Sequence, residues 1–379
     1  MIRPLLAILV AALVAAPGAV AIDGRQTHAL LRLAVKATGL TAKEPVRVVA
    51  EPRLRFQQRR ATLFDRGYPR AAQAHDEKVY RALGLLSAGT GTLRKALLAG
   101  DTRTGVYDPA ARTVFVQAGK GERAAALRQL VHALEDQHFD LRRVNRLSGG
   151  HDARVAATAA IEGHASLLLG APPVAKLGTE SRLARFLALE DGFDSTVGLR
   201  LAADLHNLGG TPAVRSALRR FPASTEQVFH LDKFLQRERP VPIVLPREVE
   251  GLRLGSTGTF GELDLRALLA VFGVPRLDAA ASGWGGGRSG VYRDATTETV
   301  LVTLDWDSEV DATQWETAVE AYVDAAFGTG ILTECASSAC WIFSGRTVAF
   351  DHLGVHTALV VSDDVKHAGE LARAATTAR

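Results

Sequence analysis

The residues best placed to do chemistry lie between Leu127 and Ala165: Arg128, Gln129, His132, Glu135 and His138, then Glu162 and His164. His132 and Glu135 form an H-x-x-E pair on one helix face, and imidazole and carboxylate are ordinary ligands of a divalent metal. Glu162 supplies a second carboxylate, so His132, Glu135 and Glu162 make a possible three-ligand set. Arg128 stands one turn before His132 on the same face, where its guanidinium reaches the space such a metal would fill. Arg keeps its proton and offers no lone pair, so Arg128 cannot ligate a cation and repels one.

Two helices must position these residues. Leu127, Leu130, Val131, Leu134 and Phe139 recur every three to four residues, which predicts a helix over 127–139. Ser148, Gly149 and Gly150 break the pattern, and a second helix is expected from about Asp152 to Leu169, with Asp152 as its cap. His138 and His151 read as helix-end or surface histidines.

The run HALEDQHFDL (His132–Leu141), followed by IEGHA (Ile161–Ala165), resembles the signature of secreted bacterial zinc metallopeptidases of the gluzincin type. Their first helix reads roughly HExxHALQDQHFDL and their second carries an EGDA-like run. STEQVFHLDKFL (Ser224–Leu235) resembles a further segment of that family, as do the YDP run at Tyr107–Pro109 and the glycine motifs GTFGELDL and GWGGGR. The resemblance implies that His132 and Glu162 occupy the second and third zinc-ligand positions. It also puts Arg128 where the first His ligand belongs and Gln129 where the catalytic Glu belongs.

In the active chemistry that Glu takes a proton from zinc-bound water and returns it to the leaving amine, which Gln cannot do. The expectation is therefore a pseudopeptidase, with no catalytic residue and His132 and Glu162 as remnant ligands. Arg128 is expected to pair with Glu162 in place of the metal, since a buried carboxylate needs a counter-charge. The alternative is a peptidase with a zinc site rebuilt from His132, Glu135 and Glu162. Zinc is expected only there, and no other cofactor in either case. His230, within the STEQV segment, is a candidate for facing the former cleft.

Residues 1–21 have a basic start at Arg3, a short apolar run and an A-x-A end, the pattern of a secretory signal peptide cleaved before Ile22. No other stretch is long and apolar enough to span a bilayer, so the protein is expected to be secreted, extracellular or in the cell envelope. Cys335 and Cys340, the only cysteines, are expected to form one disulfide. The net charge of +4 and the absence of any nucleic-acid motif argue against a nucleic-acid partner. Arg53, Arg55, Arg59 and Arg60 read as a solvated basic face.

A hairpin is expected over 105–119 with its turn at Asp108 and Pro109, and in zincins the strand beside the metal helix is an edge that pairs with substrate. Val114–Val116 is thus the expected edge for a peptide or protein at the former cleft. Ser224 and Gln227 form a capping box. The glycine run at 281–294 reads as a turn with Trp284 packed inward. HLGVH at 352–356 has zincin-like spacing but lies in a strand-like region. The fold class is α+β: a zincin-like helical core with a small sheet over 22–246, and a C-terminal α/β segment over 247–379 packed on it.

Overall fold

A computed structural model describes residues 20–87, 92–119, 121–172 and 181–378. In chain order they form β1 (Val20–Ala21), α1 (Gly24–Thr38), β2 (Arg47–Glu51), α2 (Arg53–Gly67), α3 (Arg70–Ala82), α4 (Leu93–Gly100), β3 (Gly105–Asp108), β4 (Thr113–Gln117), α5 (Glu122–Phe139), α6 (Gly150–Leu169), α7 (Arg182–Arg219), α8 (Glu226–Phe229) and α9 (Leu231–Gln236). There follow β5 (Glu248–Val249), β6 (Leu252–Thr259), α10 (Glu262–Phe272), α11 (Leu277–Ala281), β7 (Trp284–Arg293), β8 (Glu298–Trp306), α12 (Glu309–Phe327), β9 (Ile331–Thr333), β10 (Ala339–Phe343), β11 (Arg346–Leu353), β12 (His356–Ser362) and α13 (Val365–Thr377). The fold class is α+β. The leader expected at 1–21 lies outside the described residues except for Val20 and Ala21, which form β1.

The chain divides into two compact units, Met1–Thr62 with Thr104–Leu134, and Leu63–Arg103 with Glu135–Arg379, the cuts falling inside α2, between α4 and β3, and inside α5. The first unit holds a four-stranded sheet in the order β1-β2-β4-β3. The hairpin turns at Asp108, whose carboxylate accepts the Ala110 and Ala111 N–H groups at 3.0 and 3.3 Å. This sheet corrects the expectation for Val114–Val116. β4 pairs in parallel with β2 on one side and antiparallel with β3 on the other, so it is a central strand with no free edge.

The basic face of α2 is also not simply solvated. Glu51, only 1% exposed, receives Arg59 Nε on both oxygens at 2.9 Å and has Arg55 Nε at 3.6 Å. Arg59 further lies over the Phe115 ring at 3.6 Å. A buried carboxylate needs such a fork of donors to offset its desolvation.

The second unit is organised by an eight-stranded antiparallel sheet in the order β5-β6-β7-β8-β12-β11-β10-β9. Along β8, Val300, Val302 and Leu304 join a core with Phe350, Trp315 and Tyr322, while Leu301 packs with Ala358, Val360 and Leu371. Alternate residues of a strand point to opposite faces, so α12 covers one face and α13 the other. Burial on both faces explains why this strand reads as a continuous apolar run.

The glycine run at 284–293 is not a turn but strand β7, with Trp284 buried as expected. Its glycines answer crowding above the sheet. A Cβ on Gly287 would strike the Phe260 carbonyl, and one on Gly286 would come within 2.7 Å of the Val241 carbonyl. Cys335 and Cys340 form the expected disulfide, and among the described residues no helix is long and apolar enough to cross a membrane. Both features are compatible with an extracellular setting.

Candidate functional site

Helix α5 starts at Glu122, whose carboxylate accepts the Gly119 N–H at 3.0 Å, and runs without Gly or Pro to Phe139. Asp140 takes a left-handed φ of 51° and ends it, while the Asp136 carboxylate accepts the Leu141 N–H at 2.8 Å. Ala126, Leu130, Val131, Ala133 and Leu134 are all fully buried. In the first unit, α5 thus carries half-buried Arg128, Gln129 (9% exposed) and His132 (5% exposed). Gly105 of β3 packs on Gln129, where a Cβ would lie 3.1 Å from its Cγ. Gln129 is thus a packed residue.

The second unit holds the other expected residues. Glu135 (0% exposed) and His164 (1% exposed) are joined by a 2.5 Å contact between Oε1 and Nδ1. These are the two positions where the resembled signature has Gln and Asp. Helix α6 starts at Gly150, earlier than expected, and Asp152 does not cap it. Asp152 instead accepts the Thr225 hydroxyl at 2.6 Å and the Thr225 N–H at 3.2 Å.

Glu162 is placed by the crossing of α6 and α7. A Cβ on Gly163 would overlap the Gly198 carbonyl and lie 3.1 Å from Leu199 N, and one on Gly198 would overlap the Ala159 carbonyl. Only glycine lets the two backbones touch there. That approach sets Glu162 in a charged group the sequence reading missed: Arg103, Asp191 and Asp194. Burial first, and then the charge of Glu162, holds the Asp194 carboxyl well above the usual carboxylate range, with Arg103 opposing. Asp191 is raised as well, by burial foremost, with Arg103 again opposing and Asp101 and Glu162 adding. Desolvation works against the Arg103 charge, but Asp101, paired with it at 2.9 Å, and then Glu162 and Asp191 more than offset that. The i,i+3 spacing of Asp191 and Asp194 was a visible signal, but nothing local ties it to Glu162.

α5 offers one imidazole with a guanidinium one turn away, Glu135 is bound to His164, and Glu162 stands in the field of Arg103. A cation site with a resident guanidinium as neighbour loses most of its attraction for a metal.

The remaining candidates are engaged elsewhere. His230 Nε2 lies 3.0 Å from Glu262 Oε1, which also accepts Arg266 Nε at 2.6 Å. His151, at the start of α6, stacks on Tyr68, and burial, then the nearby Arg154, lowers its pKa to about 4. His352 and His356 lie on neighbouring strands, contacting Glu316 at 2.8 Å and Asp305 at 2.7 Å. The Ser224 hydroxyl accepts the Gln227 N–H at 3.4 Å, but the Gln227 side chain returns to the Ala223 N–H at 2.9 Å. Among the described residues, Glu226, Glu238 and Asp307 converge as metal ligands would. Their centre is filled by Lys233 Nζ, 2.5 Å from Glu226, 2.8 Å from Glu238 and in contact with Asp307.

Residues 250–371, from just after β5 into α13, match a family described as a domain of unknown function (DUF8575). No curated protein and no solved structure matches the chain.

Proposed function

We propose that this chain is a secreted relative of the zinc metallopeptidases that no longer hydrolyses peptides and acts by binding a peptide or protein, or in a structural envelope role. The observation that carries the reading is the buried Glu135–His164 contact at 2.5 Å. Glu135 is the one carboxylate on α5 that could rebuild the site as ligand or base, and its side chain is turned to an internal partner. Arg128 and Gln129 remove the first ligand and the base, each worth orders of magnitude in rate. The rebuilt set of His132, Glu135 and Glu162 gains no support from this arrangement.

The test is zinc content by elemental analysis of the purified protein beside an Arg128→His, Gln129→Glu double variant, with a fluorogenic peptide assay on both. Absence of zinc and hydrolysis in the native protein, with zinc bound by the double variant, is the expected outcome. One zinc per native chain with chelator-sensitive hydrolysis would overturn the reading.

A further inference from the structure

The second unit contains a cleft of about 860 Å³. It is walled by the first turn of α6, the ends of β6 and β7, part of α3 and the segment from Arg239 to Ile243. Glu162 lies about three turns, roughly 16 Å, further along α6. A volume of this size fits a small organic molecule rather than a single ion.

Its charged lining is unevenly partnered. Arg154, Arg239 and Arg288 all border the cleft, and among the described residues none has a carboxylate within the 4.0 Å of an ion pair. Arg288 spends one nitrogen on the Thr257 hydroxyl at 3.0 Å, and its Nε is buried with no acceptor. The two acids of the lining are satisfied from within the protein. Asp76 accepts the Tyr68 hydroxyl, and Asp152 accepts the hydroxyl and N–H of Thr225.

The histidines contribute no charge at neutral pH. His75 is held between the Ser256 and Ser289 hydroxyls at 2.8 Å each, and burial, then Arg288, lowers its pKa to about 4, as burial and Arg154 do for His151. The opening turn of the 20-residue α6 adds the positive end of a helix dipole to the same wall. Facing these groups are Phe221, Pro222, Pro240, Val241, Pro242 and Ile243.

The geometry points to a binding site for a small organic anion, its carboxylate or phosphate head received by Arg154, Arg239 and Arg288 and its apolar body lying on the proline-rich wall. A guanidinium without a carboxylate partner has unspent donors, and a charge-assisted bond from each is worth more than a neutral one. The apolar segment gives the ligand body a surface to leave water on. The site is independent of the zinc question and stands or falls separately from it.

The experiment is isothermal titration calorimetry of the full-length protein with octyl phosphate, octanoate and, as the uncharged control, 1-octanol. Expected is saturable sub-millimolar binding of at least one anion, with the tighter head group separating phosphate from carboxylate recognition, and no saturable binding of the alcohol. Arg239→Gln, on an exposed segment, should weaken anion binding about ten-fold, the equivalent of one lost charge-assisted bond. Arg288→Gln should do the same, its thermal melt serving as a folding check, and Arg239→Gln carries the test if Arg288→Gln does not fold. Absence of saturable anion binding, equal binding of the alcohol, or unchanged affinity in Arg239→Gln would each overturn the assignment.

Discussion

Replacing Gly163 by Ala should destabilise the second unit, although Ala is the better helix former by about 1 kcal/mol. The added methyl would overlap the Gly198 carbonyl and sit 3.1 Å from Leu199 N. These neighbours are backbone atoms, so no side-chain rotation makes room and the two helices must separate along their contact. Overpacking of that kind costs roughly 1–3 kcal/mol, and opening the interface also loosens apolar residues such as Ala156, Ala159 and Phe193 beside it. Against the propensity gain, a net loss of about 2 kcal/mol is expected. At about 2.1 cal/mol/K of unfolding entropy per residue, for a chain of this size that is a fall in melting temperature of roughly 3 °C. Gly67→Ala, where a Cβ meets nothing within 4 Å, is the matched control and should melt at or slightly above the native temperature. Differential scanning calorimetry on both variants makes the comparison. If Gly163→Ala melts no lower than Gly67→Ala, the backbone contact between α6 and α7 is not what holds that crossing.

His164→Ala, which strips a buried carboxylate of its 2.5 Å partner, should cost about 2–3 kcal/mol in urea denaturation. Glu135→Gln, which keeps an acceptor for the imidazole, should cost clearly less, and equal losses would argue against a specific bond. Burial pushes Asp152 up to about 6, only partly offset by the Thr225 bonds, so between pH 4 and 6 the folded chain holds a proton that the unfolded chain releases. The group's contribution to stability is therefore complete below about pH 4 and lost as pH rises through 6. The buried neutral His75 and His151 pull the opposite way, so the informative quantity is a difference between proteins. Asp152→Asn should gain on the native protein by about 1–3 kcal/mol between pH 4.5 and 7.5, and a pH-independent difference would contradict the assigned burial.

Much of the local structure was legible because its causes are local. The apolar spacing of Leu127, Leu130, Val131 and Leu134 gave α5, and the Asp108–Pro109 pair gave the hairpin. Errors arose where a distant segment supplied the reason. Gly286 and Gly287 looked like a turn because the Val241 and Phe260 carbonyls that demand glycine come from other parts of the chain. β4 looked like an edge because its second neighbour, β2, pairs from the far side of α2, α3 and α4. Asp152 looked like a helix cap because Thr225, which holds it, is far along the sequence. At the candidate site, Glu135 and Glu162 were found by pattern, but the roles of His164 and Arg103 depend on which side of α6 each approaches. Helix periodicity alone does not fix that.

The ammonium of Lys233 sits where Glu226, Glu238 and Asp307 would grip a divalent ion, and it is tethered to the chain by its own side chain. A tethered cation has no dissociation constant. It cannot be diluted away, removed by a chelator, or exchanged for a competing ion. Burial still raises Glu226 to about 8 despite this partner, so the arrangement retains an electrostatic cost. In return, the junction of α8, α9 and the end of β8 owes nothing to the mineral content of its surroundings, and its folding can finish wherever the chain happens to be.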